Sequence, residues 1–289
     1  MTRKLLVKTP ASCGEIVEGR DDQGSFLLSY AINCYSRIQI TPGPWRPLPP
    51  KSQAMVHRLQ ALWNLPDLDQ LMIQIDSDIP LGMGMSSSTA DLAGLVVGLA
   101  MWYQIPISNQ EVFDLCVKEE PSDGVMFSQP SLVNFMEGGP VAYRLADFDY
   151  DVLCLFADRR VETCQHYQDP RLEAIRHRQR RDYSRMRDQL FRVQSQSDLA
   201  DLAFQSACLN QAIHALPGLE QLNQLRQTLG IAGFNIAHSG SVIAIWFRAD
   251  QIRSQEILSL LRSIKLAYHD YQVYRTVDGG SEVTWVGSH

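Results

Sequence analysis

A glycine- and serine-rich segment offers backbone and hydroxyl groups of the kind that hold phosphate. The segment, PLGMGMSSSTA at residues 80–90, runs directly into an apolar stretch that reads as a helix. Small residues at a helix start expose backbone N–H groups and the positive end of the helix dipole, and together these bind anions. The G-K-[ST] ending of a Walker A loop is absent, and a serine-rich turn also serves as a plain helix cap. The segment alone leaves both interpretations open.

A second group of candidates is acidic. Ser108, with Glu111 three residues on, predicts a capped helix that delivers Glu119, Glu120 and Asp123 to the turn after Pro121. Carboxylates suit both magnesium binding and the acceptance of a proton from a hydroxyl group. The same residues also occur at solvated helix ends and in turns, and this interpretation stays open at this point.

Composition narrows the class of function. The chain has 289 residues, 45% hydrophobic side chains and a formal net charge of −6, which suits a globular protein and argues against a continuous basic surface for nucleic acid. The six cysteines include no C-x-x-C pair and resemble no disulfide framework, as expected in a reducing compartment. The opening MTRKLLVKTP has too short an apolar run for a signal peptide, and the run from Ala90 to Trp102 is too short for a membrane span. We therefore expect a cytoplasmic protein without nucleic-acid or membrane partners.

The elements that position these residues can be predicted in outline. Apolar patterns predict strands at 4–8, 37–40, 71–76 and 152–156, and helices at 51–65 and from residue 90 to about 104. The segment TPASCGE, at residues 9–15, reads as a turn. The length favours two domains, which we place at residues 1–150 and 151–289.

Two unusual tracts have ordinary explanations. The tract TPGPWRPLPP, at residues 41–50, predicts a stiff surface loop, although a proline-rich ligand for another protein is the alternative. Eight arginines between Pro170 and Arg192 alternate with acidic residues, which is typical of a solvated helix. An RNA contact through these arginines remains the alternative.

Three segments in the right order resemble the motifs of the GHMP kinase superfamily. The segment at 80–90 is similar to P-x-x-x-G-L-G-S-S-A-A, with Met85 in place of Leu, Ser86 in place of the third-position Gly and Thr89 in place of the first Ala. Residues 9–15 resemble the first motif, and GFNIAHSGSV at 233–242 resembles the third. PASCGE, E-P-[ST]-D at 120–123 and N-x-A-H-S-G-S-V at 235–242 resemble most closely the L-threonine kinases of cobalamin biosynthesis.

The resemblance implies a fold and a nucleotide. The fold is α+β with two lobes: an N-terminal ATP-binding domain like ribosomal protein S5 domain 2, at residues 1–150, and a ferredoxin-like C-terminal domain, at residues 151–289. ATP with Mg²⁺ is expected over the loop between them. The residues expected to bind ATP and its phosphates are Gly82, Met83, Gly84, Met85, Ser86, Ser87, Ser88 and Thr89.

The resemblance also implies residue roles. Ser88, with Ser87 behind it, and Glu120 are expected to hold the magnesium ion, and Asp123 is placed like the aspartate that accepts the substrate proton. Several family members support that aspartate with a lysine in the first motif, where this chain has Ser12 and Cys13. Positioning and electrostatics are the alternative to a true general base.

The substrate side follows in the same way. The expected substrate-binding residues are Ser12, Glu15, His238, Ser239 and Gly240. Glu15 stands where homoserine kinases have an asparagine, and its carboxylate suits the α-ammonium group of an amino acid. The implied activity is ATP-dependent phosphorylation of free L-threonine to O-phospho-L-threonine, for the aminopropanol arm of cobalamin. The alternatives are homoserine kinase, which differs by one methylene in the acceptor, and a catalytically silent module that binds ATP or an amino acid.

Overall fold

A ten-stranded antiparallel sheet, counted over the described residues, forms the frame of the molecule. The structure is a computed structural model and describes residues 3–157, 167, 169–264, 266 and 268–287. The strands are β1 (Lys4–Asp21), β2 (Gly24–Pro42), β3 (Leu71–Ser77), β4 (Ser131–Val133), β5 (Tyr143–Arg144), β6 (Asp151–Phe156), β7 (Gly233–Ile236), β8 (Val242–Phe247), β9 (Asp270–Arg275) and β10 (Glu282–Val286). Their order is β5-β4-β2-β1-β7-β8-β6-β9, with β3 paired to β2 and β10 paired to β1.

Helices cover this sheet. They are α1 (Pro50–Trp63), α2 (Ser87–Trp102), α3 (Asn109–Val117), α4 (Pro170–Arg178), α5 (Arg180–Leu190), α6 (Gln196–Asn210), α7 (Leu219–Leu229) and α8 (Ser254–Leu261). A single 3₁₀ turn, Leu68–Gln70, leads into β3. The sequence-based helices and strands at α1, α2, β3 and β6 are confirmed to within a few residues.

Helix α2 is the helix that the phosphate-loop candidate enters. Ten of its sixteen residues are buried, because apolar side chains occur on all of its faces and it packs between the sheet and its neighbours α1 and α3. The predicted capping box at the start of α3 is confirmed, since Ser108 accepts from the Glu111 N–H and Glu111 accepts from the Ser108 N–H. No helix in the described part of the chain is long and apolar enough to cross a membrane.

The PASCGE segment is extended, so the turn predicted for it is wrong. It lies inside the 18-residue strand β1, which pairs with β2 along its length. The register of that pairing breaks after Pro10, after Ser12 and after Glu15, and Gly14 between them has φ 67°. These bulges bend β1 and turn its side chains toward the start of α2. Pairing with β2, a distant segment, overrides the local turn preference.

The arginine-rich tract forms α4 and α5. Five of its eight arginines pair with acidic side chains, namely Arg171, Arg176, Arg180, Arg185 and Arg187. Because most of these charges are compensated, the two helices present no continuous basic stripe of the kind that binds nucleic acid. Residues 43–49 of the proline-rich tract form the loop between β2 and α1, whereas Thr41 and Pro42 end β2 and Pro50 begins α1.

Two features cross the midpoint of the chain. Strand β10, near the C-terminus, pairs with β1, so the last described residues belong to the sheet beside the first ones. A disulfide joins Cys13 on β1 to Cys154 on β6, across 141 residues of sequence. So wide a separation gives no local signal of pairing in the sequence. The division into residues 1–150 and 151–289 stays a prediction.

Candidate active site

A cavity opens over the N-terminus of α2. Eleven of its lining residues are among the predicted site residues: Glu15, Gly82, Gly84, Met85, Ser86, Ser87, Ser88, Thr89, Glu120, Asp123 and Ser239. The loop at 82–88 therefore presents backbone and hydroxyl groups to a cavity that three carboxyl side chains, Glu15, Glu120 and Asp123, also line. A plain helix cap would have neither feature.

Backbone hydrogen bonds lock the three motif segments together. The Gly14 N–H donates to the Gly84 carbonyl at 3.1 Å, and the Ser241 N–H donates to the Met83 carbonyl at 3.1 Å. A Cβ on Gly240 would lie 2.4 Å from the Met83 oxygen, so only glycine allows this approach. The sequence-distant motifs thus form one rigid wall around the phosphate-loop candidate.

A buried polar cluster fixes the first motif against the third. Asn235 on β7 donates to the Cys13 carbonyl at 2.8 Å, and its side-chain oxygen accepts from Tyr30 at 2.9 Å and Trp246 at 2.7 Å. Each of these polar groups is buried, so each needs its partner. This explains why an asparagine stands in the middle of a strand with four buried residues.

Asp123 is held by a serine. Its Oδ2 atom accepts a hydrogen bond from the Ser86 hydroxyl, whose oxygen in turn contacts the Ser12 hydroxyl. Its other oxygen, Oδ1, is buried and takes no hydrogen bond from the described residues. Burial, reinforced by the nearby Glu15 carboxylate, raises the pKa of Asp123 to about 7, and the Ser86 hydrogen bond acts in the opposite direction. A carboxyl group with that pKa can accept a proton near neutral pH.

Glu15 carries a carboxylate with one occupied and one open oxygen. Its Oε2 atom accepts from the His238 backbone N–H at 2.7 Å and faces His238 Nδ1 at 3.2 Å. Its Oε1 takes no hydrogen bond from the described residues, and Glu15 lines the cavity. Burial raises the pKa of Glu15, Glu18 adds to this, and the His238 donors lower it.

The opposite ring nitrogen of His238 is also engaged. Nε2 lies 2.9 Å from the Ser206 hydroxyl on α6, and that hydroxyl accepts from the Glu18 N–H at 3.1 Å. Burial lowers the pKa of His238, but its contact with Glu15 and the charge of Glu18 raise it to a greater combined extent. Since both ring nitrogens have protein partners, His238 acts on the cavity through Glu15.

An ion pair closes the inner end of the site. Arg176 on α4 pairs with Glu18, and Tyr167 donates to Glu18 Oε2 at 3.0 Å. The Arg176 guanidinium lies 5.0 Å from the centre of the Tyr167 ring, a cation–π contact. Glu18 is therefore already compensated by a cation, whereas Glu15 depends on the imidazole of His238.

The metal-ligand candidates also lie on the cavity wall. Ser88 and Glu120 both line it, and the Glu120 side chain is 2% exposed and pairs with Lys51 from α1. A hydroxyl and a carboxylate are the hard oxygen donors that Mg²⁺ prefers, so the donor set fits the ion. Lys51 holds Glu120 in place from the side of α1.

Four predicted residues lie outside the cavity lining. Ser12 is fully buried behind Ser86, and His238 is buried behind Glu15. Met83 and Gly240 contribute backbone contacts between the loop and the third motif. We therefore expect these four residues to position the neighbours that face the cavity.

Sequence reasoning missed several residues of the site. Tyr167, Phe135, Leu27, Pro121 and Ser122 line the cavity, and Glu18, Arg176 and Ser206 stand behind it. Glu18 and Arg176 are 158 residues apart in the chain. One sequence feature could have indicated Glu18: it lies three residues after Glu15, in the same strand and just after the first motif.

Comparison with known proteins identifies the family of this site. The family model described as GHMP kinases N terminal domain matches residues 52–128, which include the phosphate-loop candidate and Asp123. The chain is 29% identical over 286 residues to an L-threonine kinase of Citrobacter freundii, covering 96% of this chain and 99% of the relative. Residues 52–128 thus match a GHMP kinase N-terminal domain, and the chain resembles L-threonine kinases over nearly its full length. Kinases of the GHMP superfamily use ATP with Mg²⁺ and act on an alcohol group.

Solved structures of GHMP kinases share the fold. A structure titled "Phosphotransferase related to CoA biosynthesis pathway" superposes with a TM-score of 0.71 at 15% identity, over 98% of this chain and 100% of that one. A homoserine kinase from Cytophaga hutchinsonii gives a TM-score of 0.68 at 13% identity, over 97% of both chains. The predicted mixed α+β GHMP kinase fold is thereby confirmed. Identities this low show only the fold. The identity of the acceptor alcohol has to be argued from the chemistry of the site.

Proposed function

We propose that this GHMP kinase transfers the γ-phosphoryl group of MgATP to the side-chain hydroxyl of free L-threonine, giving O-phospho-L-threonine for the aminopropanol arm of cobalamin biosynthesis. The observation that carries the proposal is the carboxylate of Glu15 on the cavity lining, whose Oε1 takes no hydrogen bond from the described residues. The full-length similarity to the L-threonine kinase of Citrobacter freundii supports the same acceptor.

Charge favours an acceptor with an ammonium group. Three acidic side chains besides Asp123 surround the cavity, and two of them have fixed cations: Glu18 has Arg176 and Glu120 has Lys51. Glu15 has only His238, which carries a charge only when it is protonated. An α-ammonium group on the Oε1 side would complete the pairing of Glu15, and a sugar or mevalonate has no such group.

The site residues then divide into two sets. Phosphates of ATP bind the loop at 82–89, where the N–H groups at the start of α2 and the serine hydroxyls face the cavity. Ser88 and Glu120 would hold the magnesium ion, which when bound would supply positive charge beside the phosphates. Asp123 takes the proton of the acceptor hydroxyl, and Glu15 and Ser239 face the amino-acid end of the acceptor. The residues that bind ATP come from the proposed N-terminal domain, 1–150, and Ser239 comes from the proposed C-terminal domain, 151–289.

An acceptor screen tests this proposal. MgATP is offered with L-threonine, L-serine, L-homoserine and 3-hydroxybutyrate, and ADP and the phosphorylated product are both quantified. We expect O-phospho-L-threonine as the best product, and no product from 3-hydroxybutyrate, which lacks the ammonium group. A preference for homoserine would identify the chain as a homoserine kinase. The two acceptors differ by one methylene, which changes acceptor preference only about 10- to 200-fold. ATP binding without turnover of any acceptor would identify a silent binding module.

A further inference from the structure

Ser86 occupies a backbone conformation that disfavours a serine. It stands immediately before α2 with φ 57° and ψ 30°, in the left-handed region, where a Cβ crowds the backbone. Glycine adopts this conformation without that cost. A serine at this position therefore calls for a compensating contact, and its side chain makes no capping hydrogen bond to α2.

The compensating contact is with Asp123. Ionised Asp123 can only accept hydrogen bonds, so the single O–H of Ser86 is committed to Asp123 Oδ2. The Ser86 oxygen then accepts from Ser12, whose hydroxyl has no other partner among the described residues. The directions of both hydrogen bonds follow: Ser12 donates to Ser86, and Ser86 donates to Asp123.

We propose that Ser86 and Ser12 are positioning residues that orient Asp123 and stabilise its ionised form. In another site a cation beside the aspartate could serve the same purpose. The proposal rests on the proposed function in one respect, since it takes Asp123 as the group that receives the acceptor's proton. Ser86 is thereby assigned to Asp123, while Ser87 and Ser88 remain for phosphate and metal.

The geometry also supports Asp123 after it has been protonated. A protonated Oδ2 can donate to the Ser86 oxygen, and the Ser86 hydroxyl can then turn and donate to Ser12. The two serines thus offer a partner to each protonation state without a change in backbone. Ser12 is fixed for this purpose by full burial and by its N–H, which donates to the Met85 carbonyl at 3.3 Å.

Other groups around Asp123 act on its charge in known directions. The carboxylates of Glu15 and Glu18 on β1 oppose its ionisation, and the hydroxyls of Ser86 and of Ser29 on β2 favour it. No cation among the described residues pairs directly with Asp123. Removing the Ser86 hydroxyl removes a hydrogen bond that favours the ionised form, while Glu15 and Glu18 still disfavour it. Asp123 should therefore titrate at higher pH.

The test combines Ser86→Gly with a direct titration of Asp123. Glycine suits the local backbone and deletes only the hydroxymethyl group, so the variant is expected to fold. The Asp123 carboxyl is followed by ¹³C NMR in protein with labelled aspartate, with Asp123→Asn to assign the signal. We expect the titration midpoint, near pH 7 in the wild type, to move to higher pH in Ser86→Gly. With the acceptor, kcat should fall about tenfold or more while KM stays within about twofold.

The double variant tests the order of the two serines. Ser12→Ala alone should shift the Asp123 midpoint in the same direction by a smaller amount, and should add nothing in the Ser86→Gly background. Ser131→Ala is the matched control: Ser131 is fully buried on β4 and its hydroxyl donates to the Gln129 carbonyl at 2.8 Å. This control should leave both the midpoint and kcat unchanged.

Two outcomes would overturn the proposal. An Asp123 midpoint that is the same in Ser86→Gly as in the wild type would remove Ser86 from the support of Asp123. If the shifts in the Asp123 midpoint caused by Ser12→Ala and Ser86→Gly were fully additive, Ser12 would not act on Asp123 through Ser86. The titration is read without any acceptor, so a failure of threonine as substrate leaves this result intact and separately visible.

Discussion

His238 directs its backbone N–H and its ring Nδ1 at the same oxygen of Glu15, at 2.7 and 3.2 Å. The arrangement engages one oxygen of the Glu15 carboxylate, and Glu15 lines the cavity. We expect His238 to act on the acceptor indirectly, by holding Glu15 in place. The first prediction concerns Glu15.

Glu15→Gln keeps the size of the side chain and removes its charge. Because hydrogen bonds to charged groups contribute about 1.5 to 3 kcal/mol, kcat/KM for threonine should fall about 10- to 150-fold. The preference for threonine over 3-hydroxybutyrate should fall with it, whereas ATP affinity should barely change. Steady-state kinetics with both acceptors and a direct ATP titration measure this. A raised Kd for ATP with an unchanged acceptor ratio would place Glu15 on the nucleotide side.

The pH dependence should follow Asp123. Its pKa of about 7 in the folded protein means that the ionised, proton-accepting form grows as pH rises through neutrality, so kcat/KM should rise over the same range. Stability should move the other way. The pKa in the folded chain lies above the ordinary value of 3.8, so the contribution of Asp123 to stability is present at low pH and is lost as pH rises toward 7.

Asp123→Asn separates these two effects. The variant should lose turnover, yet at pH 8 its free energy of unfolding should exceed that of the wild type, because no buried charge remains. At pH 4 the two proteins should differ little. Urea unfolding at both pH values provides the measurement. Equal stability at pH 8 would mean that Asp123 ionises there without cost, against the effect of burial described above.

The metal site predicts a contrast between adjacent glutamates. Ser88→Ala and Glu120→Gln should each raise the MgATP concentration needed for half-maximal rate, since each removes an oxygen donor from the cavity wall. Glu119→Gln is the control, because Glu119 pairs with Arg58 and lies outside the lining. Circular dichroism monitors the fold of all three variants. Normal MgATP dependence in both Ser88→Ala and Glu120→Gln would show that the magnesium site lies elsewhere.

Gly84 is packed closely against the third motif, so its substitution should affect stability as well as nucleotide binding. A Cβ there would lie 2.4 Å from the Ala237 Cβ and 3.0 Å from the Gly240 Cα, at φ +82°. A side chain at Gly84 would therefore clash with the third motif. Gly84→Ala should destabilise the protein by roughly 1 to 3 kcal/mol more than a glycine-to-alanine change that has the same backbone strain but no clash. Gly139→Ala is that control, with φ +94° and nothing within 4 Å of its Cβ. Thermal unfolding compares the two, and equal destabilisation would refute the clash.

Local patterns were enough to predict a Gly/Ser loop followed by a helix. The Gly/Ser segment and the apolar run after it occupy the loop and α2, and the Ser108 capping box is formed as the sequence indicated. These features depend on residues within a few positions of each other. The extended PASCGE segment did not follow from local preference, because its conformation is imposed by pairing with β2 and by contact with the loop before α2.

The wall behind Glu15 could not be predicted for the same reason. The Glu18–Arg176 pair, the Tyr167 hydrogen bond to Glu18 and the Ser206 contact with the Glu18 N–H span 149 to 188 residues. Each pairing depends on how α4 and α6 pack against β1, and no spacing within the sequence encodes it. Glu15 and Asp123 were predicted from the resemblance of their motifs to a known family, and the structure places both of them on the cavity lining.

The most direct test of the proposed function is the product formed from L-threonine and MgATP by the wild-type chain, beside Asp123→Asn and an equal concentration of L-homoserine. We predict one O-phospho-L-threonine for each ADP released, a slower reaction with homoserine, and loss of product in Asp123→Asn with ATP still bound. Release of ADP without O-phospho-L-threonine, or faster phosphorylation of homoserine than of threonine, would contradict the proposal.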